Sequence, residues 1–313
     1  MAKNRGKQAD KPGEIPAAGW KDILLRVKDQ LDQDNIEIIA AGVAFYFFLA
    51  LFPSLAALVS IYGLVMDPAQ VTEQMDQLTS VLPEQAHNTL HDILQNIVQS
   101  SSDTLGWALA LGLVLSLWSA NKGTKSLFEG VNIAYDEENK RGFIRQNALS
   151  LLFTLGAIIV GIISITLIAG FPAFVDNLGL PETLKTIIGW TRWLILAVIV
   201  MFSFSLIYQY APLRDDAKFR WVSWGAAIAT IFWIGGSLLF SFYVTNFGSY
   251  NETYGSVAAI IILLLWLNLT CFIILLGAEI NSELEHQTAK DTTKGADKPM
   301  GQRGAYHADH VAE

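Results

Sequence analysis

Charged residues are scarce in this sequence. Asp, Glu, Lys and Arg make up 16% of the 313 residues, whereas a soluble globular domain carries about 25%. Hydrophobic residues make up 52% and are gathered into long runs, so a lipid bilayer is the expected solvent and partner. No stretch combines dense basic and aromatic residues as a nucleic-acid surface does, which argues against a nucleic-acid partner.

Cysteine is almost absent. The single cysteine, Cys271, lies inside an apolar run, which excludes a disulfide within the chain and a cysteine metal cluster. A cleavable signal peptide is not expected, because the N-terminal stretch is polar and charged. The first apolar run begins near Ile36 and is too long for a signal core, so it is expected to remain as the first membrane span.

Six apolar segments are candidates for crossing a bilayer. A spanning helix needs about 20 mainly apolar residues to cross about 30 Å of hydrocarbon, and the second segment is short. The runs are continuous rather than alternating, which argues against membrane strands. The sequence therefore predicts an all-α, polytopic membrane protein with six transmembrane helices, at residues 36–65, 105–120, 148–171, 190–210, 221–247 and 254–280.

Lysine and arginine predict how these helices are oriented. All but Lys185 and Arg192 of the 21 basic residues fall at the ends or in connections that would share one side of the membrane. Because basic residues concentrate on the cytoplasmic side, both termini are expected in the cytoplasm.

The polar segments divide the chain further. Residues 1–19 and 286–313 are polar without apolar periodicity, and we expect disordered cytoplasmic ends on either side of a membrane domain at 20–285. Within that domain, residues 67–103 carry two apolar helical stripes and acidic but no basic residues. They predict an amphipathic helical hairpin with negative potential on the outer side.

A proline falls near the middle of the first span. Pro53 removes one backbone donor and frees the carbonyl of Leu49, which predicts either a hinge that opens a cavity or a fixed kink shaped by packing. Small residues recur at four-residue spacing in the second span and indicate close helix packing. They are Ala108, Gly112, Ser116 and Ala120, with Gly225 and Ala229 as a similar pair in the fifth span.

Polar side chains within spans are rare and are candidates for function. Glu37 and Glu279 lie near the inner ends of the first and last spans, and Asn268 is the deepest polar residue of the last. Glu279 fits an inner vestibule or an ion pair with Lys122 or Arg145. Asn268 fits an interhelical hydrogen bond or a substrate contact. The candidate pathway and hinge residues are Glu37, Tyr46, Pro53, Asn121, Tyr254, Gly255, Asn268 and Glu279.

Enzyme signatures are missing from the sequence. There is no phosphate-binding glycine loop, no Gly-x-Ser-x-Gly elbow and no His-Glu-x-x-His pair. His87 and His91 share a helix face in the outer hairpin and have metal-ligand spacing, but a solvated surface explains them as well. We expect no catalytic, cofactor or metal site.

A set of short motifs is distributed along the membrane domain. The motifs are Ala44-Phe45-Tyr46, Leu51-Phe52-Pro53, Trp118-Ser119-Ala120, Asn132-Ile133-Ala134-Tyr135 with Arg145, Tyr210-Ala211-Pro212, Gly225-Ala226, Tyr254-Gly255-Ser256, Leu265-Trp266-Leu267 and Leu276-Gly277-Ala278-Glu279-Ile280-Asn281. Together, over roughly residues 20–285, they resemble the YihY/BrkB family of bacterial inner-membrane proteins. Trp224 departs from the family pattern, because a proline is expected there.

The resemblance implies six spans in a bacterial inner membrane and little chemistry. Some members carry the legacy label ribonuclease BN, and another lends the family a virulence label. A two-metal nuclease of that type needs a His-x-His-x-Asp-His cluster, which this sequence lacks. The predicted topology also places its histidines on opposite sides of the membrane, so the nuclease interpretation is rejected.

Two functions of different classes remain. The first is a transporter or exporter of a small or amphipathic solute, with a lipid-linked cargo included, because packed spans surround a proline near the midplane. The second is an envelope scaffold or assembly factor that uses the acidic hairpin for docking. Both are compatible with a homo-oligomer.

Overall fold

The computed structural model describes residues 5–65, 102–138, 140–167, 175, 181–247 and 257–312. Regular structure in these ranges is helical, with one isolated bridge between Ala217 and Thr293, which confirms the predicted all-α class. After a single 3-10 turn at Pro12–Glu14, the helices are α1 (Ala17–Gln33), α2 (Ile36–Val65), α3 (Ser102–Ala134), α4 (Phe143–Ile165), α5 (Glu182–Tyr210), α6 (Phe219–Phe247), α7 (Val257–His286) and α8 (Tyr306–Asp309).

Five helices in the described part of the chain are long and apolar enough to cross a membrane. They lie at Ile36–Ser54, Phe143–Ser164, Ile188–Tyr210, Phe219–Val244 and Ile260–His286. Their large apolar side chains face outward along α4, α5 and α6, as lipid contact requires and as soluble proteins rarely allow. The predicted second span lies within α3, but the count of six is not confirmed.

The centre of the bundle forms where α2, α3 and α7 meet. A Cβ atom at Gly123 of α3 would stand 2.8 Å from the ring of Phe47 on α2. One at Gly130 would stand 2.9 Å from both Ile39 of α2 and Leu275 of α7. Because real Cβ atoms do not approach so closely, these glycines set how near the three helices lie.

Helices α6 and α7 also cross closely. A Cβ atom at Gly225 would collide with Asn281 and with the backbone carbonyl of Gly277. One at Gly277 would lie 2.8 Å from Ala229 and closer still to the hydroxyl of Tyr208 on α5. The predicted packing role of Gly225 and Ala229 is confirmed, and the small residues of α7 bring α5 and α6 against it.

Both terminal segments are folded where the structure describes them, although the sequence predicts disorder there. The N–H of Ala289 donates to the carbonyl of Lys7 at 2.9 Å, and the Thr288 hydroxyl donates to the carbonyl of Ala9 at 2.7 Å. The chain then returns to α7, where the N–H of Ala312 donates to the carbonyl of His286 at 2.9 Å. Sequence periodicity does not predict this order, because the hydrogen-bond partners of each terminal segment come from the opposite end of the chain.

One arginine organises the C-terminal tail. The Arg303 guanidinium is buried and donates to the carbonyl oxygens of Ala289 at 2.9 Å and Lys298 at 3.2 Å, and also to that of Ala308. A planar group with five N–H donors can satisfy several carbonyls that no helix or strand pairs. The tail therefore folds around a polar centre rather than an apolar one.

Candidate functional site

A groove opens between α2 and α7. Its volume is about 560 Å³ and its walls are mainly apolar. It brings together Glu37 and Asn268, which the sequence predicted as candidates without predicting that they would meet. The lining residues are Glu37, Ile38, Ala41, Leu265, Asn268, Leu269 and Phe272.

The groove faces outward from the bundle and has two polar groups. Ile38 is 71% exposed and Leu265 is 44% exposed, so the rim lies on the apolar outer surface. Glu37, in the first turn of α2, is also exposed. The amide oxygen of Asn268 is buried and accepts no hydrogen bond from the described residues. An unsatisfied buried carbonyl is costly in hydrocarbon, so a ligand that donates a hydrogen bond to this oxygen would be stabilised.

Glu279 lies elsewhere, at the end of the bundle that carries both termini, and is 1% exposed. The expected ion pair with Lys122 or Arg145 is not what the structure shows, because the side chain with which Glu279 shares a hydrogen bond is that of Asp34. Asn35, with φ of 53°, ends the turn from α1 and places Asp34 there. Burial raises the pKa of Asp34, while the hydrogen bond with Glu279 offsets part of that effect.

Two histidines adjoin this acidic group. The Nε2 atom of His307 lies 3.1 Å from the carboxylate of Asp136, and this hydrogen bond lowers the pKa of Asp136. The Nδ1 atom of His286 lies 3.6 Å from the carboxylate of Glu283, one turn earlier on α7. Among the described residues, Glu283, His286 and His307 form the group whose spacing can hold a metal ion.

A buried ion pair lies beside the histidines. The Arg214 guanidinium donates to both carboxylate oxygens of Glu285, at 2.7 and 2.9 Å, and both side chains are at most 2% exposed. Thr292 of the tail donates to the same carboxylate at 2.6 Å, and the Tyr135 ring lies 4.2 Å from the guanidinium. Burial also raises the pKa of Tyr135, which therefore keeps its proton. This arrangement joins three distant segments.

Two asparagines connect separate segments of the bundle by hydrogen bonds at the same end. Asn132 accepts from the N–H of Leu213 at 2.8 Å, and Arg141 donates to the carbonyl of Ala211 at 2.7 Å. Asn281 accepts from the N–H of Gly225 at 2.8 Å and donates to the carbonyl of Val222 at 3.1 Å. Motifs that are far apart in the sequence thus meet as hydrogen-bond partners, which indicates a structural role.

The other predicted site residues are dispersed. Pro53 lies inside α2 as predicted, while movement at that position stays a prediction. Tyr46 packs its ring against Phe45, at 5.9 Å between centroids. The amide oxygen of Asn121 is buried without a hydrogen bond from the described residues. Other predictions lie outside the described residues, namely those at Tyr254, Gly255, His87 and His91 and in the hairpin at residues 67–101.

Sequence reasoning missed the residues that gather around Glu279. Asp34 and Asp136 lie in turns between helices, and His307 lies in a tail expected to be disordered. A signal for part of this group was present, because Glu283 and His286 are three residues apart and share one face of a helix. No spacing rule links them to His307, whose position depends on the folded tail.

Comparison with known proteins identifies a matching family and several relatives. Residues 27–301 match the protein family described as Virulence factor BrkB. A protein of Bacillus subtilis named ribonuclease-like protein YfkH is 31% identical over 254 residues, which cover 78% of this chain and 88% of that protein.

Two further relatives are named UPF0761 membrane proteins. The one from Mannheimia succiniciproducens is 30% identical over 61% of this chain and 69% of its own length. The one from Idiomarina loihiensis is 25% identical over 82% of this chain and 88% of its own length. No solved structure matches the chain.

Proposed function

The chain belongs to the Virulence factor BrkB family of membrane proteins, and from that premise we propose that it transports an amphipathic or lipid-linked solute across a bacterial inner membrane. The groove between α2 and α7 carries this proposal, because it joins a carboxylate and an amide to apolar walls on the outer surface of the bundle. Its polar groups would take the head of the solute and its apolar rim would take the chain.

The chemistry of the groove favours such a cargo over a simple ion. Ile38 and Leu265 at the rim allow an apolar chain to enter sideways from the lipid. Asn268 offers an amide oxygen that has no donor in the described part of the chain, and Glu37 offers a negative charge. The groove therefore suits a head group with N–H or hydroxyl donors or a positive charge. Specificity in such sites comes from a few polar groups within apolar walls.

Pro53 supplies a place where α2 can bend. The groove residues Glu37, Ile38 and Ala41 lie on the N-terminal part of this helix, and Pro53 interrupts its hydrogen-bond ladder farther along. Bending there would move one wall of the groove relative to α7. This role of Pro53 belongs to the proposal.

The proposal includes six spans with both ends in the cytoplasm. Five helices meet the requirements for a span, and α3 supports a sixth because its apolar residues face outward. Among these outward-facing residues are Trp107, Leu111, Val114 and Trp118. The distribution of basic residues supports the cytoplasmic side for the folded termini.

A nuclease is not part of the proposal. One relative is named ribonuclease-like, whereas the UPF0761 names carry no activity. The proposed topology places His87 and His91 outside and His286, His307 and His310 inside, which separates the ligands that a two-metal nuclease would need.

The experiment compares retained and released metabolites and lipids in cells that lack the protein or carry it at equal membrane abundance. Asn268→Leu and Glu37→Gln change the groove. Two variants are matched controls. Thr270→Val lies on the same helix as Asn268 and removes the hydroxyl that accepts a hydrogen bond from the Trp233 indole. Glu138→Gln lies on an exposed loop. We expect one compound to accumulate in cells that lack the protein and in both groove variants, but not in the controls.

The contrary outcome is a metabolite and lipid profile that does not differ among these strains. Transport by this groove would then be refuted, and the result would favour an envelope scaffold. Cross-linking through residues 67–103 in intact cells should in that case trap a stoichiometric partner.

A further inference from the structure

Two histidines and one glutamate face one another at the end of α7, outside the groove. One ring nitrogen each from His286 and His307 and one carboxylate oxygen of Glu283 lie within 4.8 Å of one another. The two imidazole rings meet edge to face, with centroids 4.8 Å apart. Glu283 and His286 come from the last turn of α7, whereas His307 comes from the C-terminal tail.

One nitrogen of each imidazole ring, the Nδ1 atom, is buried and has no hydrogen-bond partner among the described residues. His307 is 2% exposed, and its Nε2 faces the Asp136 carboxylate at 3.1 Å, which places the proton on Nε2 and leaves a lone pair on Nδ1. That Nδ1 is buried without a partner, and so is the Nδ1 of His286. Leaving two such atoms buried and unsatisfied costs free energy that a bound cation would recover.

We propose that Glu283, His286 and His307 bind a divalent transition-metal ion, with Zn²⁺ as the best fit, and that the ion fastens the C-terminal tail to α7. Two imidazoles and one carboxylate are a common zinc ligand set, which leaves a fourth position for water. Asp136 orients the His307 ring through its other nitrogen, as carboxylates do for metal-bound histidines.

The distances and the local charge fit such an ion. Ligand atoms of a tetrahedral zinc site are about 3.3 Å apart, so the 3.6 Å between His286 and Glu283 needs a small side-chain adjustment. The whole set lies within 4.8 Å, and its side chains would close by about 1.5 Å at most around the ion. Acidic groups adjoin the cluster, because Asp34 and Asp136 interact electrostatically with His307, and Glu279 with Glu283. Arg26 also donates to Glu283, but a carboxylate has enough lone pairs to accept that bond and bind a metal.

The site would close a cross-link between the two ends of the molecule. His307 belongs to the tail whose start is bonded to Lys7 and Ala9 of the N-terminal segment. A metal bound by His307 and by α7 therefore holds both terminal segments against the bundle. Because an ion that binds the folded tail stabilises it by mass action, removing the ion should loosen this region selectively.

The test uses the full-length, tag-free protein in detergent, treated with a chelator and then titrated with Zn²⁺ or Co²⁺. We expect about one ion per chain and a Co²⁺ absorption spectrum of a four-coordinate site. Zinc should also slow tryptic cleavage at the lysines of the tail. His286→Ala and His307→Ala should each weaken binding by more than tenfold, and Asp136→Asn by about tenfold.

Two controls separate this site from adventitious binding. His310→Ala changes a neighbouring tail histidine whose Nδ1 faces the Tyr306 carbonyl, and it should bind like the unaltered protein. His87→Ala with His91→Ala removes the other histidine pair and should leave the stoichiometry unchanged. His286 lies at the edge of the cluster, so its replacement tests binding even where His307→Ala disturbs the tail.

The proposal is overturned if the chelated protein takes up no stoichiometric metal. It is equally overturned if His286→Ala binds as tightly as the unaltered protein, or if His310→Ala loses binding to the same degree. A tryptic cleavage rate that zinc leaves unchanged would refute the fastening of the tail.

Discussion

Removing one member of the buried Arg214–Glu285 pair should destabilise the protein strongly. Both side chains are at most 2% exposed, and two charge-assisted hydrogen bonds of 2.7 and 2.9 Å join them. Arg214→Met leaves the Glu285 carboxylate buried, with Thr292 as the donor that remains among the described residues. Glu285→Gln keeps the shape and an acceptor for Thr292 but removes the charge bonded to the guanidinium, which leaves it the weaker attraction of Glu137.

The size of the effect follows from desolvation. Breaking a buried ion pair by removing one partner costs about 3–5 kcal/mol, because the other charge stays buried. For a chain of this length, about 2 °C of Tm per kcal/mol converts that cost into a Tm lower by about 6–10 °C. The double variant Arg214→Met with Glu285→Gln removes both charges and should be no less stable than either single variant.

Tryptophan fluorescence during heating in detergent would measure these differences in Tm. The exposed pair Lys140–Glu138 is the control, and Lys140→Met should leave the Tm unchanged because solvent screens that pair. If either single variant lowers the Tm no more than this control, the buried pair is not a stabilising contact. If the double variant loses the sum of the two single effects, the two charges are not coupled and the reasoning is refuted.

Two further perturbations test the packing and the tail. Gly277→Ala would push a methyl group against the Tyr208 hydroxyl, and this overpacking should lower the free energy of unfolding by about 1–3 kcal/mol. Gly156→Ala, at an open position, should not lower the Tm. Equal effects of the two variants on the Tm would refute the close crossing. Burial alone would raise the pKa of Asp291, but hydrogen bonds, including one from the Lys298 N–H, hold it below its usual range. Because this folded pKa is depressed, the stabilisation is complete above pH of about 4 and is lost as the pH falls through the folded value. Hydrogen exchange at the Lys298 amide, corrected for intrinsic rates, should therefore accelerate in acid, and it should not do so in Asp291→Asn; the same acid response in both would contradict this.

The predicted elements differ in how well they could be read from residues. Runs such as residues 190–210 and 221–247 reappear as α5 and α6, because a continuous apolar run satisfies its own backbone bonds as a helix. Glu37 and Asn268 could be selected because polar groups are costly in a span. That Glu37 and Asn268 lie in one groove could not be predicted from the sequence, because it depends on how α2 crosses α7.

The interpretation of Glu279 shows where sequence reasoning ends. A buried acid near basic residues suggests an ion pair, yet a left-handed turn at Asn35 brings Asp34 to it instead. The tail shows the same limit. Its lack of periodicity suggests disorder, whereas Arg303 satisfies carbonyls from several parts of it and creates order.

The sequence by itself determined the helical class, the apolar spans, the expected orientation and the family resemblance. These features follow from local composition and periodicity, because the hydrophobicity of each span and the charge of each connection are properties of the sequence alone. Only the tertiary structure decided which polar residues share a site, how Arg214 finds Glu285, and that His307 returns to α7. Such contacts join residues far apart in the chain, and their energies depend on burial, which no local pattern contains.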